Sequence, residues 1–327
     1  MTPSRESLER LAAELPELDF ASLADQREWL ATDLVQSYLD HYRINFISEG
    51  LCQQHNLGKF LAAGFEVAVH VWQPAKARGT VFLLHGFTDS VGLMQHPIRF
   101  FLQQGWAVVA FDLPGHGLSS GEPASIDSFD QYRDVLTVCL RHCRHALPRP
   151  WRGVGQSTGA AVWMNYLATY PTEREVGHVL LAAPLVRPAG WANLRLLFPA
   201  YKGMSDSIPR KFRANSHDRA FLKFVKNKDP LQVRATPTRW VKAMAAWIET
   251  FSDFPVFQKA LTIIQGNEDE TVDFLFNLPL ICEKFPGSAL IMLGGARHQL
   301  FNESEQIRAV LFSHLRRWLE QPGEPTN

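Results

Sequence analysis

The chain has 327 residues, enough for one large hydrophobic core or one core with a smaller subdomain. Its 33 basic and 33 acidic residues give zero formal net charge, which argues against nucleic acid as the main partner. No apolar stretch approaches the ~18 residues of a transmembrane helix, and the N-terminus is too acidic for a secretory signal. The four cysteines form no CxxC pair and no zinc spacing, so we expect no metal and a cytoplasmic location.

The predicted elements alternate between short strands and helices. Apolar periodicity first predicts a helix over 23–46. Short apolar runs then predict strands over 65–72, 80–84, 106–111, 152–155, 179–183, 260–264 and 289–293. Helical patterns are found over 95–104, 128–146, 159–169 and 304–320. This order predicts an α/β fold in which helices flank a mostly parallel sheet and ligands bind at the carboxyl ends of the strands.

One long segment interrupts this alternation. No convincing strand pattern is found over 186–257, which is rich in aromatic residues and reads as several helices and loops. We therefore expect a helical cap inserted between late strands. The predicted organisation is an N-terminal helical extension (1–50), a core (51–185 and 258–327) and the cap (186–257).

A glycine-flanked serine lies where a strand gives way to a helix. Gly155-Gln156-Ser157-Thr158-Gly159 follows the strand over 152–155, and small alanines open the next helix. Gly-x-Ser-x-Gly at such a junction is the pattern of a nucleophile elbow, in which the glycines permit close chain approach and the serine hydroxyl projects from the sheet. The helix start leaves the Thr158 amide free to stabilise a developing oxyanion.

A nucleophilic serine needs a base and an acid later in the chain. Among twelve histidines, only His298 and His314 follow the late strands. His298 lies in the loop after the strand over 289–293, whereas His314 lies inside the last helix, so we assign His298 as the base. The loop after the preceding strand contains Glu268, Asp269 and Glu270, and the residues alone do not rank these three.

The second oxyanion donor is expected in the loop after an early strand. That loop begins His85-Gly86-Phe87, and we assign the Phe87 amide as the donor, with His85 bracing the loop. The contiguous Ser216-His217-Asp218 is a distractor, because adjacent side chains diverge and a triad depends on geometry. We interpret it as a cap loop or helix start.

Five ordered motifs resemble the α/β-hydrolase superfamily, and more narrowly its monoacylglycerol lipase and lysophospholipase branch of serine aminopeptidase S33-type hydrolases. They are LHGFT (84–88), FDLPGHGLS (111–119), GQSTG (155–159), GNED (266–269) and GARH (295–298). The resemblance implies Asp269 as the acid and Phe87 and Thr158 as the oxyanion donors. Many relatives have His or Asn in place of Gln156 and Met or Leu in place of Thr158.

These residues together predict a serine carboxylic-ester hydrolase that acts through an acyl-enzyme, with no cofactor. The predicted substrates are monoacylglycerol, lysophospholipid or short- to medium-chain acyl esters. Phe87, Gln156, Trp191 and Leu197 are the predicted substrate-binding residues. An aminopeptidase or amidase and a silent ligand-binding protein are the alternatives. We expect a monomer or homodimer. The apolar cap side chains could touch a membrane surface transiently, although packing onto the core is the favoured interpretation.

Overall fold

The computed structural model describes residues 2–202, 206–210 and 212–321. Its strands are β1 (Gln54–Ala62), β2 (Phe65–Gln73), β3 (Thr80–Leu84), β4 (Ala107–Phe111), β5 (Trp151–Gln156), β6 (Val176–Ala182), β7 (Ser207–Pro209), β8 (Ala235–Pro237), β9 (Thr262–Gly266) and β10 (Ala289–Leu293). Eight of them form one sheet in the order β1-β2-β4-β3-β5-β6-β9-β10, and β7 pairs with β8 separately. The strands β1 and β2 are antiparallel additions, while β3 to β6, β9 and β10 pair in parallel. This confirms the predicted mostly parallel architecture.

The helices cover both faces of this sheet. They are α1 (Arg5–Glu14), α2 (Arg27–Leu30), α3 (Asp33–His41), α4 (Gln95–Gln103), α5 (Phe129–Cys143), α6 (Thr158–Thr169), α7 (Trp191–Lys202), α8 (Arg219–Asn227), α9 (Thr238–Asp253), α10 (Phe274–Lys284) and α11 (Glu305–Leu319). Successive residues of β3 show the two layers: Phe82 packs in the cluster with α5, α6 and α9, and Leu83 in the cluster with α1, α3, α4 and α11. Every residue of β3 is buried, as its continuous apolar run predicts.

Several local predictions differ from the structure. The helix expected over 23–46 is broken, because Thr32 adopts an extended backbone (ψ 144°) and its hydroxyl donates to the Trp29 carbonyl at 2.8 Å. Sequence reasoning missed β1 and α10, and also the short strands β7 and β8 in the segment where no strand was expected. Helix α10 is unusual in holding Pro279. Helix α1 lies within the predicted helical extension, although no bounds were predicted for it. The strand β10 is an edge strand with partly exposed side chains, whereas its apolar run predicted burial on both faces.

The segment between β6 and β9 holds α7, β7, α8, β8 and α9. Trp240 and Trp247 of α9 are buried in the same cluster as α5, so α9 packs on the core. Treating 186–257 as a separate cap remains a prediction. Among the helices of the described ranges, none combines the length and apolar character needed to cross a bilayer.

Candidate active site

Ser157 lies in a strained turn between β5 and α6. Its φ of 53° and ψ of −110° lie where residues other than glycine are uncommon, a conformation that costs ~1–3 kcal/mol. The neighbouring chains leave no room for side chains. A Cβ on Gly155 would come within 2.4 Å of the Gly159 carbonyl, and one on Gly159 within 2.4 Å of the Leu84 oxygen. The two glycines therefore allow the turn that projects the serine.

Asp269 and His298 come together at the same edge of the sheet. Each follows the carboxyl end of a parallel strand, β9 or β10, and the His298 Nδ1–H donates to Asp269 Oδ2 at 2.8 Å. Asp269 also accepts from Gln265 Nε2 at 2.9 Å and from the Thr271 amide at 2.8 Å. Both side chains are buried. The carboxylate therefore has a fixed direction and holds one ring tautomer.

The charges of this pair stabilise each other. Burial lowers the pKa of His298, but the Asp269 carboxylate and its hydrogen bond more than offset this, so the pKa is raised. Burial by itself raises the pKa of Asp269, but interactions with His298 and Gln265 reverse the effect and leave it lowered. An ionised acid behind a basic imidazole is suited to accept a proton from a hydroxyl.

A side-chain bridge joins the serine turn to the histidine loop. Gln156 Nε2, one residue before Ser157, donates to Gln299 Oε1, one residue after His298, at 2.7 Å. Both glutamines are buried. The turn and the loop are therefore held side by side, although Ser157 and His298 are 141 positions apart in the chain.

The loop after β3 lies against the serine. A Cβ on Gly86 would be 3.3 Å from Ser157 Cβ, so the His85–Phe87 backbone passes directly beside it. His85 braces this loop, since its Nε2 accepts from the Leu113 amide at 2.9 Å. Within the described ranges, neither the Phe87 nor the Thr158 amide donates to another backbone group. These two amides are available to an oxyanion.

The other predicted site residues have varied surroundings. Phe87 stacks on Trp240 of α9 with ring centroids 3.8 Å apart, so α9 contacts the loop after β3. Gln156 points into the glutamine bridge. Trp191, at the start of α7, is partly buried against the core. The side chain of Leu197 lies outside the described residues.

The rejected candidates have structural partners of their own. Asp218 caps α8, Ser216 donates to the Asn302 carbonyl at 2.7 Å, and His217 contacts Glu303. Glu268 is half exposed and lies 3.5 Å from His217, and Glu270 is also exposed. Of the three carboxylates that the residues alone left unranked, Asp269, which the family resemblance implied, is the one that contacts His298.

Sequence reasoning missed Asp89 and Gln299. Gln299 Nε2 donates to Asp89 Oδ2 at 2.9 Å, and burial raises the Asp89 pKa to about 6. Their positions carried a signal, because Asp89 lies two residues after Phe87 in the loop after β3 and Gln299 directly follows the proposed base. Burial together with a shifted pKa beside a catalytic group is typical of functional sites.

Comparisons with known proteins agree with this geometry. The family described as serine aminopeptidase, S33 matches residues 75–305. Phospholipase YtpA of Bacillus subtilis is 24% identical over 264 residues, covering 76% of this chain and 98% of that protein. A probable serine hydrolase of Drosophila melanogaster is 32% identical over 120 residues, covering 36% of this chain and 35% of that protein.

Solved structures show the same fold. A soluble variant of monoglyceride lipase from Saccharomyces cerevisiae superposes with a TM-score of 0.70 at 18% identity, covering 83% of this chain and 96% of that one. The monoacylglycerol lipase of Paleococcus ferrophilus gives 0.67 at 19% identity, covering 78% and 98%. The architecture is thus the α/β-hydrolase fold.

Proposed function

This chain belongs to the serine aminopeptidase S33 family of α/β-hydrolases, and from that premise we propose that it is a carboxylic-ester hydrolase with Ser157 as nucleophile. The observation that carries the proposal is the hydrogen bond of 2.8 Å between His298 and Asp269. The Gln156–Gln299 hydrogen bond holds the loop of His298 beside the Ser157 turn. The hydrolase class follows from the family. The ester chemistry, the residue roles and the substrates below are proposals.

The mechanism uses each group of the site in turn. His298 takes the hydroxyl proton of Ser157 as its oxygen attacks the ester carbonyl, and Asp269 stabilises the resulting imidazolium. The Phe87 and Thr158 amides bind the oxyanion of the tetrahedral intermediate. His298 then protonates the leaving alcohol, and an acyl-enzyme remains. Water activated by His298 attacks this acyl group and releases a carboxylic acid with Ser157 restored.

We further propose that residues 186–257 form a cap over this site. The Phe87–Trp240 stack supports this, as does the donation from buried Gln232 to the Thr88 carbonyl at 3.0 Å. Apolar side chains close to the oxyanion donors favour an acyl chain as the bound group. Monoacylglycerols and lysophospholipids are the proposed substrate classes.

An ester series tests the function and the site together. Wild type and Ser157→Ala are compared on p-nitrophenyl esters from acetate to dodecanoate, on monoacylglycerols, on lysophospholipids and on aminoacyl anilides. We expect ester turnover by wild type and a loss of roughly 10⁶-fold in the variant. Ser216→Ala, from the rejected Ser-His-Asp run, is the matched control and is expected to retain turnover.

Each contrary outcome has a separate meaning. Absence of turnover on every ester by a folded wild-type protein would refute the esterase proposal. Equal turnover by Ser157→Ala would refute the site assignment. Anilide cleavage that exceeds ester cleavage would establish the aminopeptidase alternative, which the family's description keeps in view.

A further inference from the structure

A cavity of about 190 Å³ lies beside the proposed catalytic residues. Asp89 and Gln299 line it, together with Arg210, Phe212, Arg213 and residues of α8 that include Phe221, Val225 and Lys226. Gln299 directly follows the proposed base His298 and donates to Asp89 at 2.9 Å. A group bound in this cavity is therefore close to the proposed reaction centre.

Cationic side chains dominate this cavity. Arg210, Arg213 and Lys226 line it, while Asp89 is the lining carboxylate. Arg234 is a fourth cation nearby. The Cζ atom of Arg210 lies 4.9 Å from the centre of the Phe212 ring, and the Cζ atom of Arg234 lies 5.2 Å from the same point. The cavity lining therefore has three cationic side chains and one carboxylate, although the whole chain has zero formal charge.

The cations are bonded to neutral oxygens. Arg210 donates to the Gln232 side-chain oxygen and to the Val233 carbonyl. Arg213 donates to the Glu270 carbonyl and Arg234 to the Lys226 carbonyl. In the described part of the chain, none of these arginines has a carboxylate within 4.0 Å.

Arg210 is the most informative of these residues. Desolvation lowers the pKa of the Arg210 guanidinium, and the carboxylates of Asp89 and Asp229 oppose this shift from beyond ion-pair distance. A desolvated cation without a direct counter-ion is unfavourable in a folded protein unless it has a use. A bound anion would supply the missing counter-ion, and a guanidinium fork suits phosphate and carboxylate oxygens.

We propose that this cavity, bounded by Arg210, Arg213 and Lys226, binds an anionic group of the substrate. The enzyme then prefers esters that carry a phosphate or carboxylate near the scissile bond. The ring faces of Phe212 and Phe221 and the Val225 side chain line the same cavity and accommodate an apolar spacer. This inference rests on the proposed esterase function and narrows its substrate class.

Matched ester pairs test the preference. 1-Butyrylglycerol is compared with 1-butyrylglycerol 3-phosphate, which places phosphate on the alcohol, and ethyl butyrate with monoethyl succinate, which places carboxylate on the acyl group. In at least one pair we expect kcat/KM for the anionic ester to be about tenfold higher at low salt, and the excess to shrink as salt screens the charge. Equal kcat/KM within both pairs would overturn the proposal.

Variants assign the effect to the cavity. Arg210→Gln should reduce the anionic-to-neutral ratio of kcat/KM about tenfold, and Arg213→Gln, on an exposed side chain that folding tolerates, should reduce it severalfold. Arg316→Gln, on the exposed face of α11, is the matched control and should leave the ratio unchanged. An unchanged ratio in both cavity variants would refute the site.

A binding measurement separates this inference from the proposed function. Ser157→Ala is titrated calorimetrically with 1-butyrylglycerol 3-phosphate, with monoethyl succinate and with both neutral partners. Preferential binding of an anionic ester that Arg210→Gln abolishes would support the cavity even if no ester is hydrolysed. Hydrolysis of esters by wild type without any anionic preference in binding would refute the cavity and leave the esterase proposal standing.

Discussion

Removing the Tyr42 hydroxyl should lower the free energy of unfolding, because this group connects the N-terminal segment to the loop after β3. The Tyr42 hydroxyl, at the end of α3, donates to Asp229 Oδ1 at 2.6 Å, and both residues are buried. Gln232 then donates to Asp229 Oδ2 at 3.3 Å and to the Thr88 carbonyl at 3.0 Å, in the loop that provides the proposed oxyanion donor. This chain of contacts connects α3 to that loop.

Tyr42→Phe keeps the ring and deletes the first donor. A hydrogen bond to a charged group contributes ~1.5–3 kcal/mol, so we expect the free energy of unfolding to fall by about 2 kcal/mol at neutral pH. Burial raises the pKa of Asp229 and the Tyr42 hydrogen bond opposes that rise, so the variant raises it further. A carboxyl with a raised pKa destabilises the fold while it is ionised at neutral pH, and protonation removes this cost. The difference in free energy of unfolding between wild type and Tyr42→Phe should therefore shrink as pH falls.

Urea unfolding of both proteins at neutral and mildly acidic pH measures this effect. The slope m of the unfolding free energy against urea concentration is compared to confirm that both proteins expose the same surface. Tyr166→Phe is the control, because its ring is equally buried and its hydroxyl has no partner among the described residues. An unchanged midpoint in Tyr42→Phe, or an equal loss in the control, would show that this hydrogen bond does not stabilise the fold.

Three further results are expected. The raised pKa of His298 places the acidic limb of the kcat/KM profile above pH 6.5, and Asp269→Asn should move that limb to lower pH while reducing kcat by roughly 10⁴-fold. Gly159→Ala should destabilise the protein by ~1–3 kcal/mol in urea and abolish ester turnover, because its Cβ would lie 2.4 Å from a backbone carbonyl. His55 and His70 form a buried, hydrogen-bonded pair. Burial lowers the pKa of both rings and brings that of His70 to about 3. Stability should therefore decline as pH falls below 6.5, which urea midpoints at several pH values would reveal.

Local sequence predicted the elements whose physical cause is local. Continuous apolar runs such as Thr80–Leu84 indicated strands buried on both faces, and the strand-to-helix setting of Ser157 indicated its turn. The same reasoning failed for Gln54–Ala62, the antiparallel edge strand β1, which has a mixed polar pattern. It also merged α2 and α3, because periodicity does not register a hydroxyl that caps the first helix.

The sequence by itself determined where a serine turn forms, because the steric needs of Gly155 and Gly159 act over a few residues. Only the tertiary structure shows that Asp269, which the family resemblance implied and the residues alone left unranked, contacts His298. Only it places Arg210 and Asp89 around one cavity. These side chains belong to segments that are far apart in the chain and meet near the carboxyl ends of the parallel strands. Their partners are set by strand order and register, which spacing along the chain does not encode.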